Sequence, residues 1–304
     1  MRRPLRRYSV RLALLLGDRR WRHRQDWWPG LSIRPATADA LGTAIYKGEK
    51  VCDLLPLQDI KHPRSQIVVI GSGPSTATQV FSGIPPRASL LLNGAIHLLD
   101  GRLAAPLAVI IEDERFVWRH FAEMRSFIGP DIPCLFSTSV LRAICEIRPE
   151  WLRERPIHHV DFLHKPYGAL RPAQSDLERL DFLRWNASRT AALSLEPWKG
   201  FFAGGSVAVT ALQLAIALRP AAIGFAGIDL SNADQPRFYE TAGQTAKSRI
   251  LQAQDRILAA FSIALSVCRE YGIDLVNYSP ASALTNLGIP YDDKLTMSST
   301  HQNK

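Results

Sequence analysis

From Pro63 onward the chain alternates short runs of β-branched and leucine residues with longer stretches of helical period. This rhythm restricts the fold more than any other feature. The strand candidates are Gln66–Ile70, Ala88–Leu92, Leu107–Ile111, Pro133–Phe136, Ala221–Phe225 and Asp274–Asn277. Helical stretches lie at Thr76–Phe81, Ala95–Leu99, Phe116–Ile128, Ser139–Glu146, Ser206–Leu218 and from about Lys247 to Tyr271. Strands apolar along their whole length, each followed by a helix, predict a mostly parallel sheet covered on both faces. In such α/β sheets a ligand binds beyond the strand carboxyl ends, near the point where the strand order reverses. Two segments break the rhythm: 148–203, rich in Pro, Arg and Trp and including HKPYGALRP, and 229–247, DLSNADQPRFYETAGQTAK. Irregular inserts of that length at strand ends more often cover a site than fill space.

The 304 residues suffice for one large domain or two small ones, and 46% hydrophobic with 21% charged is ordinary globular composition. Cys52, Cys134, Cys145 and Cys268 are widely spaced, which argues against a disulfide framework or zinc site and for thiols in a reducing compartment. The net charge of +9 is uneven. Residues 1–30 hold nine arginines against Asp18 and Asp26, a net +7, which leaves only +2 elsewhere. The basic balance therefore belongs to an N-terminal segment, and no nucleic-acid-binding core is expected. Its apolar run, Leu12–Leu16, is far short of the roughly 20 residues that span a bilayer. The stretch also lacks a signal peptide's longer apolar region. Arginines interleaved with Tyr8, Trp21, Trp27 and Trp28 suit contact with an anionic membrane surface; the alternatives are a poorly ordered basic tail or an arm packed on its own domain. We accordingly divide the chain into a basic, aromatic segment 1–60 and an α/β domain 61–304.

The first strand runs into Gly71-Ser72-Gly73-Pro74-Ser75. This is not a phosphate-binding P-loop, because no lysine follows the glycines. It is only part of a dinucleotide fingerprint: Thr76 stands at the third glycine's place, and Asn93-Gly94 stands where an acidic residue is expected. A nicotinamide enzyme is disfavoured. The loop's backbone N–H groups, facing a helix N-terminus, suit an anion. Strand three ends in Glu112-Asp113-Glu114-Arg115, where a carboxylate could act as general base or simply favour a helix start. Gly204-Gly205-Ser206 opens an almost wholly apolar helix, whose N-terminus offers a second cradle for an anion or a base. Asp229 ends the strand Ala221–Phe225 with its Gly227-Ile228 extension, either as a loop brace or as a catalytic group. Arg237-Phe238-Tyr239 could clamp phosphate oxygens. His158 and His159 are adjacent and, on a strand, face opposite ways. No metal-binding spacing is present in the sequence.

In order, GSGPS (71–75), LNGAIHLL (92–99), EDERF (112–116), GGSVAVTALQLAIAL (204–218), GIDL (227–230), RFY (237–239) and NYSP (277–280) resemble the CMP-sugar transferases of bacterial envelope polysaccharides. The chain looks most like the lipopolysaccharide core Kdo transferase family, and more distantly like bacterial sialyltransferases with a GxGPS loop. The likeness spans about residues 66–290. It implies a Rossmann-like glycosyltransferase of the cytoplasm, peripheral on the inner face of the inner membrane. The donor would be CMP-Kdo or a related CMP-activated acid sugar, and the acceptor a lipid A-core oligosaccharide. It places CMP against Gly71, Ser72, Gly73, Pro74, Ser75, Asn93, Gly94, Gly205, Ser206 and Ser279. Arg237 and Tyr239 would steady the departing phosphate. CMP leaves as a monophosphate ester, so neither a metal nor another cofactor is expected; the oligomeric state is left open. Two departures matter. The sialyltransferase loop has asparagine where Ser72 stands here, and the base histidine those enzymes carry before the last long helix has no counterpart in Thr241–Lys247. Asp113 is therefore the first candidate for general base and Asp229 the second. CMP-sialic acid as donor, or a non-catalytic nucleotide-binding role in envelope assembly, are the alternatives.

Overall fold

The computed structural model describes residues 3–230, 235–240 and 250–296. The chain opens with α1 (Arg6–Leu15) and a 3-10 helix (Arg19–Asp26), then an antiparallel sheet of β1 (Leu31–Arg34), β2 (Gly42–Tyr46) and β3 (Glu49–Leu54). The α/β part follows: β4 (Gln66–Ile70), β5 (Ser89–Leu92), β6 (Ala108–Ile111), α2 (Glu114–Phe127), β7 (Cys134–Ser137), α3 (Thr138–Ile147), α4 (Glu150–Arg153) and β8 (Ile157–Val160). Next come α5 (Gln174–Glu178), the hairpin of β9 (Leu183–Trp185) and β10 (Ala192–Ser194), α6 (Val207–Leu218), β11 (Ala222–Ala226), α7 (Ile250–Tyr271) and β12 (Asp274–Asn277).

Seven strands form one parallel sheet in the order β12-β11-β4-β5-β6-β7-β8. This is the Rossmann-like α/β arrangement expected. The chain steps outward from β4 to β8, then returns to lay β11 and β12 on the other side, so the order reverses between β4 and β11. The continuous apolar strands explain the two-sided cover. Ile67, Val69, Leu90, Leu92 and Ile110 face the layer containing α6 and α7, while Val68, Ile70, Leu91, Val109 and Ile111 face α2 and α3. Each strand thus serves two cores with alternate residues.

Two expectations need correction. The helix expected at Thr76–Phe81 is a five-residue 3-10 turn, Pro74–Thr78, and Ala95–Leu99 lies in a 3-10 helix, Asn93–Asp100. Residues 148–203 are not without order, because they contain α4, α5, the β9–β10 hairpin and the sheet's seventh strand, β8. That strand reads IHHV, and its two histidines hid it. His158 Nδ1 meets Leu55 O at 3.0 Å and His159 Nε2 meets the Thr138 hydroxyl at 2.8 Å, so burial is matched by hydrogen bonds. Within residues 1–60, Leu31, Ile33, Ala44, Val51 and Leu54 pack in the same cluster as Val68, Ile70 and Phe136. Of the insert 229–247, residues 231–234 and 241–247 lie outside the described residues, as does the expected start of the last helix before Ile250.

Candidate active site

At the reversal point the loops after β4 and β11 are laced together. Gly71 N–H donates to Ala226 O at 2.8 Å and Gly73 N–H to Gly227 O at 2.9 Å. Asp229, 6% exposed, accepts from the Ser75 N–H at 2.7 Å and from the Ser75 hydroxyl at 2.6 Å. Ser279 completes the knot, accepting from Gly227 N–H at 2.8 Å and meeting the Ser75 hydroxyl at 3.0 Å. Asn277 holds Ser279 through both its side-chain atoms, at 2.9 and 3.0 Å. A side chain at residue 73 would collide with the Asp229 carboxylate, which is what requires glycine there. The N–H groups of Gly71, Gly73 and Ser75, offered to an anion by the sequence, are each taken up within the protein. Asp229 supplies the negative charge at Ser75, and Thr76 N–H donates to Gly73 O at 3.1 Å. Asp229 sits as a loop brace, and Ser72 is the loop residue facing the insert: its carbonyl accepts from Phe238 N–H at 3.4 Å.

That contact lays Arg237–Tyr239 across the ends of β4 and β5. The Tyr239 ring lies where a Cβ on residue 94 would be, so only glycine admits it. It stacks on His97 with ring centres 4.5 Å apart and planes 9° from parallel. His120 meets Tyr239 and His97 edge-on at 5.8 and 6.4 Å; α2 is kinked at His120, and Phe116 stacks against its ring at 4.7 Å. Arg237 Nη1 donates to the Tyr239 hydroxyl at 3.3 Å and to Glu240 at 3.1 Å. Burial, reinforced by neighbouring His120, lowers the His97 pKa. Burial raises the Tyr239 phenol against the pull of Arg237. Asn93 adopts a left-handed backbone, φ 45°, and its Oδ1 is buried with no partner among the described residues. His97 and His120 escaped sequence reasoning. Their one signal was spacing: His97 follows Asn93 by four residues, and His120 follows Phe116 by four.

The three carboxylates after β6 part company. Asp113 caps α2, accepting from Arg115 N–H at 2.9 Å, and its outer oxygen pairs with the Arg115 guanidinium at 2.6 Å on the solvent side. Glu114 turns the other way, into ion pairs with Arg142 and Arg3. Glu112 points inward: the Thr210 hydroxyl of α6 hydrogen-bonds to it, and its Oε1 is buried with no partner among the described residues. Burial pushes Glu112 up to about 7; the Asp113 charge adds to this and the Thr210 bond opposes it.

Helix α6 is held by Gln213, wholly buried, whose Oε1 accepts from Ser194 and Phe202 N–H at 2.8 and 2.9 Å and whose Nε2 donates to Phe202 O. This fixes the extended run into Gly204-Gly205-Ser206. There the Ser206 hydroxyl caps α6 by accepting from Ala208 N–H at 3.2 Å, and the Arg256 guanidinium of α7 lies against Gly205. The structure thus gathers Gly71–Ser75, Asp229 and Ser279 into one knot, and Ser72, Gly94, Arg237 and Tyr239 into one contact set beside Asn93. Gly205 and Ser206 belong with Glu112 through the first turns of α6, and Asp113 stands outside these groups.

Among the described residues no group of three or more His, Cys, Asp or Glu side chains is arranged to hold a metal. A cavity of about 210 Å³ lined by Ser65, Gln66, Ile84, Tyr278 and Lys294 opens at the amino end of β4, away from the site. No family model and no curated protein matches the chain. Among solved structures it is similar to the sialyltransferase CstII from Campylobacter jejuni in complex with a substrate analogue, cytidine-5'-monophosphate. The identity is 16%, over 78% of this chain and 88% of that one, with a TM-score of 0.40. A likeness of that degree carries no argument about this chain, whose fold and site stand on their own geometry.

Proposed function

We propose that this chain is a glycosyltransferase that moves Kdo, or a related acid sugar, from a CMP-activated donor onto lipopolysaccharide core. One observation carries the reading. Arg237–Tyr239 lies across the ends of β4 and β5, against Ser72 and Gly94, at the reversal point where such sheets bind ligands. Segments whose order resembles the Kdo transferases therefore meet in one place. CMP lies along Ser72, Asn93 and Gly94, whose orphaned Asn93 Oδ1 calls for a donor such as a ribose hydroxyl or the cytosine amine.

In the reaction the bond between the anomeric carbon and the phosphate oxygen breaks, and CMP takes the electron pair. Arg237 and the Tyr239 hydroxyl stabilise that charge. The acceptor hydroxyl bonds to the anomeric carbon and gives its proton to a carboxylate. We take that carboxylate to be Glu112, whose buried Oε1 has no partner among the described residues, rather than Asp113 or Asp229, which are held by Arg115 and Ser75. No step asks for a metal. The acceptor is the anionic lipid A-core, met at the inner face of the inner membrane.

The test is to incubate the protein with CMP-Kdo or CMP-sialic acid and truncated lipopolysaccharide, and to weigh the product. Gain of one Kdo with release of CMP supports the proposal, and gain of sialic acid instead replaces the donor. CMP binding without transfer from either donor would leave a non-catalytic nucleotide-binding protein. Thermal protection by NAD but not by CMP would overturn the reading.

A further inference from the structure

Helix α1 is inside out. Leu5, Tyr8, Leu12, Leu15 and Leu16 recur at spacings of three and four, so they share one stripe of the helix and its two flanking residues. That stripe faces solvent: Leu5 is 83% exposed, Tyr8 59%, Leu12 64%, Leu15 43% and Leu16 89%. The opposite side carries Arg3, Arg7 and Val10, and it is this side that packs on the protein. Arg7 is wholly buried and donates to the carbonyls of Trp28, at 2.8 Å, and Gln25. Arg3 pairs with Glu114 at the start of α2, and Glu114 pairs in turn with buried Arg142. The helix is thus bolted down by its polar side and presents its apolar side outward. Exposed Trp21 and Trp28 and exposed Arg11, Arg19, Arg20 and Arg24 belong to the same segment.

We infer that this face is a built docking surface for an anionic lipid bilayer, entered in the plane of the interface by the leucines and flanked by arginines at the headgroups. Charge selects the occupant. The first 30 residues carry a net +7, so a second copy of the chain would bring the same charge against itself, whereas an anionic surface complements it. Short amphipathic helices with arginines beside leucine and aromatic residues bind bilayers this way. Within the described residues no helix is long and apolar enough to cross a membrane, so the contact is an in-plane one. The inference deepens the peripheral placement in the proposed function and rests on that reading for its setting. Its test uses no sugar donor, so the two fail separately.

The experiment sediments the full chain with vesicles of phosphatidylcholine alone or mixed in equal parts with phosphatidylglycerol. Wild type should bind the mixed vesicles, more weakly as salt rises. Leu12→Glu/Leu16→Glu should lower partitioning by more than about tenfold, since two inserted leucines are lost. Melting temperature should hold, because both side chains already face water. Arg11→Gln/Arg19→Gln/Arg24→Gln should weaken binding to mixed vesicles and leave pure phosphatidylcholine unchanged. Wild-type binding by the leucine variant would overturn the inference. So would a lipid-free dimer that the leucine substitutions dissociate, or failure of wild type to bind vesicles while it captures an acidic protein.

Discussion

Glu112 and Asp113 are neighbours with opposite fates, and a pair of isosteric substitutions separates them. Asp113→Asn keeps an equally good cap on α2, so transfer should stay within about twofold and the melting temperature should hardly move. Glu112→Gln should lower the transfer rate by about 10²–10⁴-fold while CMP binding, read by thermal shift, persists. The pH dependence has a definite sign. Burial raises Glu112 from 4.5 to about 7, so the folded state favours the protonated form. Its contribution to stability is complete below pH 4.5 and is lost as pH rises through about 7. The melting temperature of wild type should therefore fall relative to Glu112→Gln across that window. Transfer, which needs the carboxylate, should rise across it. At Asp229, Ala would strand two donors of Ser75, and chemical denaturation should read a loss of about 2–4 kcal/mol. None of this division of labour is visible in EDERF, because the deciding partners, Thr210 for Glu112 and Arg142 for Glu114, lie far along the chain.

At the scale of elements the wholly apolar strands were legible, while β8 and the turns were not. Runs such as QIVVI and AVII leave no choice but a strand buried on both faces. The connections from β4 to β5 and from β5 to β6 carry the same kinds of residue as a short α-helix, yet tighten into 3-10 turns. Local composition does not distinguish the two; the distance the chain must cover does. The Arg237–Tyr239 segment was recognisable as a candidate clamp, but not its seat on Gly94 and His97. That seat makes a prediction. Gly94→Ala should push Tyr239 out and weaken CMP binding by about tenfold, given the 1–3 kcal/mol typical of overpacking. Tyr239→Ala should weaken it as well, and the double substitution should cost clearly less than the two singles combined. Additivity in that cycle would mean that the ring does not press on residue 94.

At the scale of the whole molecule, the α/β class followed from the rhythm of the chain. The packing of the first 60 residues did not. Their charge was plain, but nothing in the order of arginines and leucines showed that Arg3 and Arg7 turn inward and the leucines outward. The antiparallel sheet β1–β3 was hidden by the same basic and aromatic composition. Its sequel has a consequence for the sheet's rim. The main sheet is open, and an open sheet ends in strands whose outer backbone groups invite another strand. Here the chain closes both ends with itself. Leu55, just after β3, donates from its N–H to Ile157 O on β8 at 2.8 Å, and Asn277 on β12 donates to Pro290 O at 2.8 Å. The segment after β3 therefore acts as a stopper against chain-to-chain growth. Light scattering should find a chain starting at residue 31 monodisperse, and one starting at residue 61, with β8 uncovered, assembling into strand-linked aggregates.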